Sequence, residues 1–131
     1  MYRAAVIIWL MASPFLISGC GPRITPEEAK VLVVLDEIQR GVESNISFEQ
    51  FEKILKTAKA EIEILEQNSQ KNPCFMSAVK KCYSSYAIAK KAWIKKESEK
   101  DPKRKEDMEM TMSFSLSFSA LNIKKANNCY K

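Results

Sequence analysis

FEQFEKILKTAKAEIEILEQN, residues 48–68, carries the clearest structural pattern in the chain. Its apolar residues recur in alternating steps of three and four: Phe48, Phe51, Leu55, Ala58, Ile62 and Leu65. That spacing puts them on one narrow stripe of an α-helix, the kind that packs against another helix. Glu49 and Lys53 form a favourable i,i+4 pair on the opposite side. The stretch therefore predicts a helix that belongs to a bundle.

Helix-start signals occur at three other places. Thr25-Pro26, Asn72-Pro73 and Asp101-Pro102 each put a capping side chain before a proline, which is tolerated at the first helical position. Capping boxes are predicted for Thr25 with Glu28 and for Ser47 with Gln50. Together with the helix that begins near residue 48, these signals predict four helices.

The first and third helices have apolar stripes of their own. The first is expected over about residues 26–43, where Val31, Leu35, Ile38 and Val42 keep helical spacing. The third is expected over about residues 73–99, with a stripe of Phe75, Val79, Cys82, Tyr86, Ala89 and Trp93. The expected fold class is all-α, an up-and-down four-helix bundle over residues 26–131.

The last segment permits two interpretations. From Met108 to Phe118, apolar residues alternate strictly with polar ones, which is typical of a strand. A lone strand needs a partner, however, and the chain supplies no convincing one. As a helix, the segment has two apolar faces. One face carries Met108, Met112, Leu116 and Ile123, and the other carries Met110, Phe114, Phe118 and Leu121. We expect the helix, which would either contact neighbours on two sides or present one face to a partner protein.

The start of the chain has the parts of an export signal: a positive Arg3 and an uncharged, mostly apolar run over residues 4–17. Ile17-Ser18-Gly19-Cys20 follows and resembles the lipobox of bacterial lipoproteins. The resemblance implies cleavage after Gly19 and a diacylglyceryl group on the Cys20 thiol, often with acylation of the new amino group. Residues 1–19 would then be a signal peptide, 20–25 a lipidated tether and 26–131 the bundle.

The same resemblance implies a location. A lipoprotein is held at the bacterial cell envelope by its acyl chains, since each buried methylene contributes about 0.8 kcal/mol and several chains together make a durable anchor. Gly21 follows Cys20. In a host with two membranes, that residue implies the periplasmic side of the outer membrane.

Three cysteines remain in the expected domain. In an antiparallel hairpin of the last two helices, Cys74 at the start of one lies opposite Cys129 at the end of the other, and we expect a disulfide between them. Cys82 is expected to be buried on the apolar stripe. A Cys82–Cys129 bond is the alternative, if the chain folds back after Asn127.

Charge divides the domain into two halves. Residues 25–69 carry ten acidic and five basic side chains, and residues 70–131 carry fourteen basic and six acidic. We expect two hairpins of complementary charge. The alternative is a basic turn that contacts anionic lipid or polymer, formed by Lys90, Lys91, Lys95, Lys96, Lys103, Arg104 and Lys105.

The residue types argue against catalysis. The chain has no histidine, so a nucleophilic cysteine would lack its usual base and a metal its commonest ligand. We expect no catalytic residue, metal, cofactor or small-molecule substrate, and export to the envelope excludes nucleic acid. The expected function is contact with another envelope protein as an adaptor, accessory subunit or chaperone. In inferred fold and anchor, the chain is similar to helical pilotin lipoproteins, which escort secretins to the outer membrane.

Overall fold

Four helices make up the bundle: α1 (Pro26–Glu43), α2 (Phe48–Glu66), α3 (Pro73–Ser98) and α4 (Pro102–Asn128). The computed structural model describes residues 23–68 and 72–131. The predicted signal peptide, which ends at Gly19, and the predicted lipidation site Cys20 lie outside the described residues. The prediction of an all-α four-helix bundle is confirmed, and no strand occurs in the described ranges.

The capping side chains fix the helix starts. The Thr25 hydroxyl accepts a hydrogen bond from the Glu28 amide at 3.2 Å, and the Glu28 carboxylate accepts one from the Thr25 amide at 3.0 Å. Ser47 and Gln50 form the second capping box. Asn72 and Asp101 accept from amides in the first turns of α3 and α4. These bonds satisfy donors that have no partner within the helix.

Consecutive helices run in opposite directions. Ion pairs join a residue near one end of each helix to a residue near the other end of the next: Lys30–Glu61, Lys80–Glu66, Lys90–Glu52 and Lys96–Glu109. The pairs contribute little to stability because their side chains are partly exposed. Two of them join basic α3 to acidic α2, as the complementary charge of the two halves predicts.

Tyr86 occupies the centre of the core. It is fully buried, and its hydroxyl donates to the Leu35 carbonyl and to the Gln39 side chain, both at 3.2 Å. Its ring lies 6.2 Å from the ring of Phe51, edge to face. One side chain of α3 thus contacts both α1 and α2. The predicted stripes surround it, with Val31, Ile38, Leu55, Ala58, Ile62, Leu65, Phe75, Val79 and Cys82 all buried.

The segment with alternating residues is helical, as expected. The hydroxyls of its polar residues find hydrogen-bond acceptors within the helix, at backbone carbonyls one turn earlier. Thr111 donates to Asp107, Ser117 to Ser113 and Ser119 to Ser115. The alternation therefore produces two apolar faces on one helix.

Two valines on α1 provide a matched test of the core. Val31 is fully buried, whereas Val33 is 66% exposed. Val31→Ala should lower the free energy of unfolding by about 2 kcal/mol, since it removes two buried methyl groups and leaves a cavity. Val33→Ala should change it by less than about 0.5 kcal/mol. Urea unfolding measures both, and equal losses would contradict this orientation of α1.

Candidate functional site

The inner face of α4 packs closely on α3 because its side chains there are small. Ser119, Asn122 and Ala126 are fully buried. The Ser119 hydroxyl donates to the Ser115 carbonyl at 2.9 Å and lies 3.4 Å from the Cys82 carbonyl of α3. Two larger apolar residues of the first predicted face, Leu116 and Ile123, also pack against the core. This first predicted apolar face of α4 is therefore the one that the bundle covers.

The second predicted apolar face of α4 is open. Met110, Phe114, Phe118 and Leu121 are 56%, 71%, 54% and 45% exposed, and we call these four residues the α4 outer surface. They lie one turn apart along the helix, so their side chains adjoin. Single exposed apolar residues are common, whereas a contiguous row with two phenylalanines is unusual and is a candidate for an interaction surface. The α4 outer surface is the strongest candidate site on the molecule.

The predicted basic turn is partly neutralised, because three of its seven basic residues form ion pairs within the molecule. Lys90 pairs with Glu52 at 2.8 Å, Lys96 with Glu109 at 2.6 Å, and Arg104 lies 3.9 Å from Asp101. Hydrogen bonds from Lys90 and Lys96 lower the pKa values of Glu52 and Glu109 below their ordinary range. The other four predicted residues have no ion pair within the described ranges: Lys91, Lys95, Lys103 and Lys105.

Acidic side chains are also interleaved with the basic ones along this turn. Residues 90–109 contain eight basic and six acidic side chains, a net charge of only +2. A polyanion site needs a concentrated positive field. The turn therefore carries mixed charge already in its own sequence. The structure adds the ion pairs of Lys90 with Glu52 of α2 and of Lys96 with Glu109 of α4.

The opposite end of the bundle is closed around Cys74 and Cys129. Their Cα atoms lie 5.9 Å apart, within the range of a disulfide, and the structure pairs these two cysteines as predicted. Tyr130, the next residue, donates a hydrogen bond from its hydroxyl to the buried carboxylate of Glu28, and its ring lies 5.9 Å from that of Phe75. The starts of α1 and α3 and the end of α4 therefore meet here.

The Glu28–Tyr130 contact was not predicted from the sequence. Burial, together with the hydrogen bond and the charge of Glu28, raises the pKa of Tyr130. The sequence predicted only the capping-box role of Glu28, and that role is confirmed. The side chain is also buried, beneath the hydroxyl of Tyr130.

Cys82 lies within the core, as predicted. It is fully buried, and burial raises the pKa of its thiol from its ordinary value of 9.0 to about 12. A thiol at neutral pH is a poor nucleophile, since the thiolate is the reactive form. The side chain packs against the core and offers no catalytic group to solvent.

The grooves between helices offer no reactive constellation. One groove of about 580 Å³ lies between α1 and α2, lined by residues that include Glu37, Arg40, Gln50, Lys53 and Ile54. Across the described ranges, no three histidine, cysteine, aspartate or glutamate residues cluster as a metal site would require. In the same ranges, no helix combines the length and apolar content needed to cross a membrane.

The fold and the site define a four-helix bundle with one open apolar helix face. Comparison of the chain with family models, with curated proteins and with solved structures finds no match. Function must therefore be inferred from the residues and their arrangement.

Thiol chemistry should distinguish the three cysteines of the bundle. With intact protein at pH 8, iodoacetamide should leave all three unmodified, because Cys74 and Cys129 are bonded and Cys82 is buried with a raised pKa. Unfolding without reductant should expose only Cys82, and reductant should expose the other two. Peptide mass spectrometry measures the labels. Rapid labelling of Cys82 in the folded protein, or a Cys82–Cys129 peptide, would contradict the assignment.

The Glu28–Tyr130 contact should contribute measurably to stability. Tyr130→Phe leaves the Oε2 oxygen of the buried Glu28 carboxylate without its donor, so the free energy of unfolding should fall by about 1–3 kcal/mol. Tyr83→Phe is the matched control, because Tyr83 is half-buried and makes no hydrogen bond to another described residue through its hydroxyl. Urea unfolding at neutral pH measures both variants. Equal effects would show that Tyr130 acts through its ring alone.

Proposed function

We propose that this protein is a small lipid-anchored lipoprotein of the bacterial envelope that acts by protein–protein contact, without catalysis, as an adaptor, accessory subunit or pilotin-like chaperone. The observation that carries the proposal is the α4 outer surface. A bundle that packs one apolar face of α4 partly against its core and exposes an equally apolar second face gains nothing in its own stability from the exposed phenylalanines. Such a surface is suited to binding another protein.

The lipobox supplies the second part of the proposal. With a lipid on Cys20, the first turn of α1 begins only six residues from the anchor. A fully extended tether of that length spans at most about 20 Å. The bundle would therefore work at the membrane surface, and its partner would be a protein that lies in or against the same membrane.

The chemistry of the buried polar groups supports contact over conversion. Glu28 already accepts hydrogen bonds from Thr25 and Tyr130, and the Tyr86 hydroxyl bonds to α1. Cys82 is a buried thiol. Each of these groups is either hydrogen-bonded within the fold or buried in the core. None of them is positioned to act on a substrate.

Crosslinking in intact cells tests the function. The wild-type protein should capture one dominant envelope protein, and Cys20→Ala should leave the membrane fraction and lose that capture. Phe114→Ser should reduce the captured amount at least about tenfold, because hydrophobic anchors at the centre of a contact contribute most of its energy. Ile64→Ser on α2 is the control, since Ile64 is 56% exposed outside the α4 outer surface.

Other outcomes would contradict the proposal. If the Cys20→Ala protein remains bound to membranes, the proposed lipid anchor on Cys20 is contradicted. Capture of many abundant envelope proteins, unaffected by Phe114→Ser and lost at high salt, would support instead the alternative function, a surface component that binds anionic lipid or polymer through the basic turn.

A further inference from the structure

The α4 outer surface is self-complementary about its midpoint. Phe114 and Phe118 lie two residues on either side of Leu116, and Met110 and Leu121 lie six and five residues from it. If α4 is placed against a second α4 in the opposite direction, with the two Leu116 positions level, each Phe114 faces a Phe118 and each Met110 faces a Leu121. Two-fold symmetric dimers require this kind of self-matching patch.

Charges at the ends of the surface fit the same alignment. Asp107 precedes Leu116 by nine residues and Lys125 follows it by nine. Both are exposed, and neither forms an ion pair with another described residue. Their positions continue the row of Met110 to Leu121 in steps of three and four residues, so they lie on the same side of α4.

The direction of pairing follows from these two charges. In a parallel pair of α4 helices, Asp107 would face Asp107 and Lys125 would face Lys125, which is repulsive at both ends. In the antiparallel pair, Asp107 of each copy faces Lys125 of the other, which is attractive at both ends. Like charges face each other in one arrangement only, so the surface specifies direction as well as partner.

We propose that the partner of the α4 outer surface is a second copy of this chain, packed antiparallel with the two Leu116 positions at the same level along the helices. The inference rests on the proposed function, in that it names what binds the α4 outer surface. From Asp107 to Lys125 the contact would extend about 27 Å along the helix. The open apolar rows of the two copies would thereby form one shared apolar layer with an ion pair at each end.

Charge reversal in full-length chains tests partner and direction together. Two copies with different C-terminal tags are expressed in the same cells, the membranes are solubilised, and the retention of one tag on the other is measured. Wild-type copies should co-purify. Asp107→Lys alone and Lys125→Asp alone should each reduce retention at least about threefold, because attraction becomes repulsion at both ends.

The decisive sample combines the two variants. A chain with Asp107→Lys, expressed with a chain with Lys125→Asp, restores opposite charges at both ends, so retention should return to near the wild-type level. Phe114→Ser should abolish retention and Ile64→Ser should not, with circular dichroism showing that both remain helical. Loss of retention in Phe114→Ser, but not in Ile64→Ser, also separates a specific contact from two anchors that share one detergent micelle.

Three results would overturn the inference: no co-purification of wild-type copies, retention that Phe114→Ser leaves unchanged, or mixed charge variants that bind no better than each variant with itself. Failure of the proposed function is distinct from these results. If the copies do not associate but Phe114→Ser still removes an envelope protein captured in cells, the adaptor proposal stands and its partner is another protein.

Discussion

The buried Tyr86 side chain is the contact on which the arrangement of the helices depends. Its hydroxyl reaches the backbone of α1 and its ring packs on Phe51 of α2, so one residue sets the position of α3 against both. A tyrosine hydroxyl is buried only where it finds a hydrogen-bond partner, and the Leu35 carbonyl and Gln39 side chain supply it. With α3 fixed, the inner face of α4 can approach only through the small side chains of Ser119 and Ala126, and this choice of face leaves Phe114 and Phe118 outside.

The contact between Cys74 and Cys129 adds a second constraint, at one end of the bundle. Cys129 lies beside Cys74, and Tyr130 is thereby held over Glu28 at the first turn of α1. A disulfide across this separation of 55 residues would stabilise the fold by about 4 kcal/mol, by restricting the unfolded chain. The first turn of α1 is the part of the bundle closest in sequence to Cys20. The end of the bundle that these contacts stabilise is therefore the end to which the proposed lipid anchor would be attached.

Local signals in the sequence predicted most of the fold. The capping residues and the apolar stripes depend on short-range geometry, so the starts of all four helices and the core residues from Phe51 to Leu65 followed from spacing alone. The Cys74–Cys129 pairing followed from the length of the α3–α4 hairpin. Spacing also separated the two apolar faces of α4, but it could not tell which face the bundle covers, because that depends on the position of α3.

The contacts that the sequence missed connect residues far apart in the chain. Glu28 and Tyr130 are 102 positions apart, and Lys90 and Glu52 belong to different helices. No local pattern marks such pairs. The second matters most for function, since it and the Lys96–Glu109 pair neutralise part of the basic turn. The prediction of a basic turn considered the basic residues alone, whereas two of their acidic partners lie on α2 and α4.

The proposed pairing and the proposed anchor constrain each other. Because Glu28 of α1 contacts Tyr130 beyond the end of α4, the start of α1 lies at the same end of the bundle as the end of α4. Antiparallel α4 helices then place the two α1 starts, and with them the two lipids, at opposite ends of the dimer. Tethers of at most about 20 Å reach one membrane from both ends only if the helices lie along its surface. An anchored dimer of this kind would present a long, flat bundle to its neighbours, whereas a monomer could stand upright.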